Sequence, residues 1–114
     1  MKVVKEKISI EELKDMSKKM FGRLVKAVVD VEQETMVVDA ELHADQESLL
    51  LERGSKQVDL WGINIYPNKM GDDKWIEFDS MINIRPSWGN SSRGVDDPKV
   101  QEKIIKIVNR LVEK

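Results

Sequence analysis

The only histidine of the chain stands among carboxylates. In the stretch DAELHAD, Asp39, Glu41 and Asp45 alternate around His43. In a strand all four side chains share one face, because side chains alternate with period two. In a helix Asp39 and His43 meet at i, i+4. In either form a carboxylate can orient the imidazole, an arrangement used in metal sites and in general-base catalysis. One histidine is thin for zinc, and an oxygen-rich magnesium or manganese site is easier to build from these acids. The catalytic candidates are therefore Glu41, His43 and Asp45, in a divalent-metal-dependent hydrolase of a phosphoester-like bond. That reading needs His43 within about 10 Å of the acids Glu77 or Asp79, because ligand bonds are only about 2 Å long. The plain alternative is a solvated helix start whose acids favour the positive end of the dipole.

A second row lies in KWIEFDSMINIRP, the longest alternating segment. Read as a strand, one face carries Ile76, Phe78, Ser80, Ile82 and Ile84. The other carries Trp75, Glu77, Asp79, Met81, Asn83 and Arg85. A third group joins LWGINIY, where Trp61, Gly62, Asn64 and Tyr66 lie away from the apolar positions, to the loop PSWGNSSRGV with Trp88, Asn90 and Arg93. Arginine and the backbone amides of a Gly/Ser loop suit an anion. Asp96 and Asp97 at the next helix start oppose a phosphate there, and no Walker or Rossmann glycine pattern exists. The ligand- or partner-binding candidates are Trp61, Asn64, Asp79, Asn83, Arg85, Asn90 and Arg93, with tryptophan and arginine as the usual anchor types. Mixed charge on a strand also fits mere exposure, and Gly89 and Gly94 fit a crossing loop with unusual backbone angles.

These groups need elements to hold them. Ser9-Ile10-Glu11-Glu12 has capping-box spacing, and Ile10, Leu13, Met16, Met20 and Phe21 recur at helical spacing up to Gly22, predicting a helix over 10–21. LVKAVVDV and TMVVDA read as a strand hairpin across EQE, with Val25, Ala27, Val29 and Val31 on one face. A helix over 24–38 is the competing reading. ELHADQESLLLERG predicts a helix around 42–53, capped by Asp39 and stopped at Gly54, with a strand as alternative. DLWGINIYP and the 74–86 segment form a second hairpin. Asp97 and Pro98 begin a last helix, with Val100, Ile104, Ile107, Val108 and Leu111 as its apolar stripe. The order α-ββ-α-ββ-α predicts an α+β domain over 1–114, an antiparallel sheet of about four strands with helices mainly on one face. The other sheet face is then left to water or a partner.

Composition limits the function classes. The 114 residues carry a net charge of -2, which disfavours sequence-independent nucleic-acid binding. No cysteine is present, excluding disulfides and thiolate chemistry and fitting a reducing cytoplasm. No secretory h-region follows MKVVKEK, and no apolar run is long enough for a membrane span. The 14 lysines and 11 glutamates lean towards a thermophile. A small homodimer using an open sheet edge or face fits the same pattern.

Several of these residues together resemble a family of short prokaryotic proteins known only as a domain of unknown function. The shared pattern is E-x-H-x-D, G-S, W-G-x-N and N-I-R-P-x-x-G-N. Here it falls on Glu41, His43, Asp45, Gly54, Ser55, Trp61, Gly62, Asn64, Asn83, Ile84, Arg85, Pro86, Gly89 and Asn90. The resemblance runs from about residue 25 onward. It implies no activity, cofactor or metal. The function therefore reads as unknown, in a small cytoplasmic binding or interaction domain using the polar sheet face and the 85–94 loop. The metal-dependent hydrolase is the alternative, and whether the protein is an enzyme stays open.

Overall fold

A computed structural model describes all 114 residues. Strands β1 (Lys2–Val4), β3 (Val25–Asp30), β4 (Thr35–Val38), β5 (Leu60–Ile65) and β6 (Ile76–Glu77) form one antiparallel sheet in the order β1-β4-β3-β5-β6. The short strands β2 (Ile8–Ser9) and β7 (Val112–Glu113) pair in parallel as a separate ribbon. The helices are α1 (Ile10–Met20), α2 (His43–Glu52) and α3 (Pro98–Leu111). The class is α+β as expected, with five strands in the main sheet rather than four.

Local chemistry sets the clearest elements. Ser9 Oγ accepts the Glu12 amide at 3.1 Å, which starts α1. The Glu12 carboxylate does not complete the box; it pairs with Lys2 at 2.6 Å instead. Asp97 accepts the Lys99 amide at 2.9 Å, and Pro98 occupies the first turn of α3. The β3–β4 turn is built by Asp30, whose Oδ1 accepts the amides of Glu32 and Gln33, both at 2.9 Å. Its Oδ2 accepts the Ser55 hydroxyl at 2.6 Å, so the Gly54-Ser55 end of α2 is fastened to the hairpin.

The sheet buries both faces. On one side Val25, Ala27, Val29, Met36, Val38, Ile63 and Ile65 pack with Leu13 of α1 and with Ile104, Ile107, Val108 and Leu111 of α3. Each large aliphatic side chain fully buried in this way contributes roughly 1.5–3 kcal/mol. On the other side Val28, Val37 and Leu60 meet Leu50 of α2. The face expected to meet water or a partner is thus covered by α2 and by the chain around Ile82.

The 74–86 segment is not one long strand. Only Ile76 and Glu77 pair with β5, opposite Ile65 and Asn64. Met81–Asn83 and Pro86–Trp88 are short 3-10 turns. The expected face pattern fails with it: Trp75, Asn83 and Arg85 are buried, whereas Ile84 is exposed. Asp39 does not cap α2 either. It adopts a left-handed backbone, and Leu42 stands at the cap position with no side-chain hydrogen bond. No helix is long and apolar enough to cross a membrane.

Candidate functional site

Four of the residues singled out from the sequence share one pocket. His43, Asn64, Asp79 and Arg93 line a cavity of about 200 Å³, with Lys26 on its wall and Leu42 and Met81 at its exposed rim. Register explains part of the convergence. Lys26 on β3 faces Asn64 on β5, and Asn64 faces Glu77 on β6. A cation, an amide and a carboxylate therefore stand in one row across three strands. Directly opposed side chains in such a row begin about 4.5–5.5 Å apart.

His43 closes the row from above, at the first residue of α2. Its Nε2 lies 2.8 Å from the Ile63 carbonyl. A carbonyl only accepts, so Nε2 carries the proton. Burial holds the imidazole below its ordinary pKa of 6.5, assisted by Lys26 and Arg93 and opposed by the Ile63 hydrogen bond and Asp79. The neutral ring then presents Nδ1 as a lone pair, and Nδ1 has no hydrogen-bond partner in the protein. Gln46, one turn further along α2, donates to the Lys26 carbonyl at 2.8 Å and pins the helix over β3.

Charge in the pocket is uneven. Arg93 Nε donates to Asp79 Oδ1 at 2.6 Å. Lys26 forms no ion pair; its ammonium lies 5.1 Å from the centre of the Phe21 ring. No side chain caps the start of α2, and Leu42, His43 and Ala44 line the same pocket. The wall is thus cationic although the chain as a whole is acidic. Asn64 donates from Nδ2 to Glu77 at 2.8 Å, and its buried Oδ1 has no partner. Tyr66 also donates to Glu77, at 3.1 Å, and burial followed by that carboxylate raises its pKa.

The remaining candidates fasten the chain to itself. Asn83 is fully buried and binds both backbone groups of Gly62. Asn90 donates to the carbonyls of Asn83, Ser92 and Gly94 and accepts the Asp96 amide. Arg85 donates to the carbonyls of Gln57 and Leu60 and lies 4.4 Å from the Trp61 ring and 5.7 Å from that of Trp88. Trp61 itself packs against the core on the α1/α3 side, not on the face of Asn64. Pro86, Gly89 and the Arg85–Asn90 bridge close the loop as a tight turn, with Gly89 in a left-handed conformation. Asp96 accepts from Ser92 and Ser91, which lowers its pKa. The 85–94 loop therefore spends most of its donors internally, and only Arg93 reaches the pocket.

Of the acids that the alternative, metal-dependent reading gathers around His43, only Asp79 lines the pocket. Glu41 and Asp45 are exposed and line no part of the pocket, because α2 begins at His43 and breaks the period-two row. His43 and Asp79 do share a wall, but no group of three or more His, Asp or Glu side chains converges to hold an ion. The residue that sequence reasoning missed is Lys26. Its place opposite Asn64 depends on strand register, which leaves no local mark.

Residues 2–111 match the family described as Protein of unknown function (DUF5674), and the chain belongs to it. No curated protein and no solved structure matches.

Proposed function

We propose that this protein is a small-ligand binding module that holds an anion in the His43–Asn64–Asp79–Arg93 pocket. The observation that carries the reading is Lys26. It is a half-buried cation without a carboxylate partner, on the wall beneath an uncapped helix start. Backbone amides and the helix dipole at such a start favour negative charge. Arg93 adds a second cation, steered by Asp79. One uncompensated charge in a cavity of this size suits a small anion rather than a nucleic-acid backbone.

Inorganic phosphate is the first probe. The single imidazole gives one set of resonances, so binding is read directly at the site. We expect those resonances to move saturably with phosphate and the melting temperature to rise with its concentration. Lys26→Met should weaken the response, while Lys74→Met, at an exposed position away from the pocket, should not. Absence of any shift at high millimolar phosphate overturns the reading.

The cytoplasmic location expected from composition belongs to this reading. So does the homodimer, whose available edges β1 and β6 are three and two residues long. Sedimentation at two protein concentrations tests it.

A further inference from the structure

The pocket has an apolar side as well as a cationic one. Leu42, Ala44, Met81 and Ile82 line it together with Lys26 and Arg93. Leu42 is 55% exposed and Met81 is 65% exposed. Large apolar side chains scattered singly over a surface need no explanation, but two at the mouth of one pocket do. Helix stability does not account for Leu42. It stands at the N-cap of α2, where Ser, Thr, Asp or Asn is preferred because its side chain accepts a helix amide. The chain forgoes that cap and sets an exposed aliphatic group at the pocket instead.

Both side chains stand on pinned elements. The start of α2 is held to the sheet by His43 on the Ile63 carbonyl and by Gln46 on the Lys26 carbonyl. Met81 begins a turn that Asn83 fastens to Gly62. The two sides of the pocket also touch: Arg93 Nη1 lies 3.4 Å from Met81 Sδ. An apolar group bonded to an anion that Arg93 holds therefore lies beside Met81.

We propose, building on the anion-binding reading above, that the ligand is a small organic anion with a short apolar tail, its head held by Lys26 and Arg93 and its tail lying on Leu42 and Met81. A phosphate monoester or a carboxylate supplies such a head. Full burial of a methylene strengthens binding about fourfold. The rim is open at Leu42 and Met81, so about twofold per methylene is expected here.

The matched probes are methyl phosphate and butyl phosphate, with acetate and pentanoate as the carboxylate pair. Each is titrated into the full chain at pH 8 by calorimetry. The members of a pair share one head and differ by three methylenes. The longer member of at least one pair should bind about eightfold more tightly, and that pair names the head. In the double variant Leu42→Ala, Met81→Ala the ratio should fall below about twofold. Both members carry the same head, so the ratio cancels any effect of the variant on the cations. If the variant fails to fold, the wild-type Met81 methyl resonance decides: it should move further with the longer member than with the shorter. A wild-type ratio below about two in both pairs, a ratio untouched by the double variant, or equal movement of the Met81 methyl with both members overturns this inference and leaves the anion site standing. Binding of none of the four overturns it as well, and overturns the anion site too where inorganic phosphate also gives no response.

Discussion

Asn83 reads the backbone of Gly62 as a neighbouring strand would. Its Oδ1 accepts the Gly62 amide at 2.8 Å, and its Nδ2 donates to the Gly62 carbonyl at 3.0 Å. Strand β6 pairs with β5 only at Ile65 and Asn64, so Gly62 has no ladder partner on that side. One side chain supplies what the missing strand would have supplied, and a second bond from Nδ2 to the Arg93 carbonyl ties the loop to the same point. This junction sets where Arg93 enters the pocket.

Asn83→Ala should therefore cost stability well beyond a surface change. It strands a buried amide and carbonyl, each worth about 1–3 kcal/mol when left unsatisfied. We expect a loss of about 2–4 kcal/mol, measured by urea unfolding. Asn83→Asp keeps the acceptor but loses both donated bonds, and should be destabilised as well. A loss below about 1 kcal/mol for Asn83→Ala would mean that water replaces the side chain.

Gly62 is required for space rather than for backbone freedom. A Cβ there would lie 2.5 Å from both Cβ and Oγ of Ser80, which is itself buried. Gly62→Ala should destabilise by roughly 1–3 kcal/mol through overpacking. The double variant Gly62→Ala, Ser80→Gly should recover part of that loss, since it removes both clashing atoms. Additive losses in the double variant would place the strain elsewhere.

Much of this was legible and some was not, and the division follows the range of the interactions. Helices α1 and α3 carry their own signals: Ser9 and Asp97 as caps, and apolar residues at every third or fourth position. The β3–β4 hairpin shows in its β-branched run. Strand β1 hides in a charged opening because only three residues pair, and their partner β4 lies more than thirty residues on. The β2–β7 ribbon joins the two ends of the chain and has no local mark. The 75–85 alternation misled for a physical reason. Asn83 and Arg85 are buried because they serve the backbone of β5 and its flank, replacing a strand with side-chain hydrogen bonds. Asn64, His43, Asp79 and Arg93 were identifiable by type, but their meeting depends on α2 crossing the sheet.

Arg85 is expected to act on stability and not on ligand. Its guanidinium lies against Trp61 and binds the Leu60 carbonyl at 2.7 Å. Burial lowers its pKa and Glu47 opposes this, yet an arginine keeps its charge throughout. Arg85→Lys loses the fork that reaches two carbonyls at once, so a loss of about 1–3 kcal/mol is expected. Phosphate affinity should change less than twofold. A large fall in affinity with unchanged stability would return Arg85 to the binding site.

His43 gives the stability curve a sign. Its folded pKa lies below the ordinary 6.5, with burial the main cause. Above pH 6.5 the ring is neutral in both states and contributes no slope. As pH falls below 6.5 the unfolded chain takes up a proton before the folded one, so stability drops. The drop ends once pH passes below the folded pKa, where both states are protonated. Lys26, Asp79 and Arg93 all face the ring, so the comparison must be made against a variant that keeps them. His43→Gln can still donate to the Ile63 carbonyl but does not titrate. The wild type should lose stability relative to this variant between pH 6.5 and 5, as read by melting temperature at each pH. Parallel curves through that range would show that the imidazole is freely solvated and that α2 does not close over it.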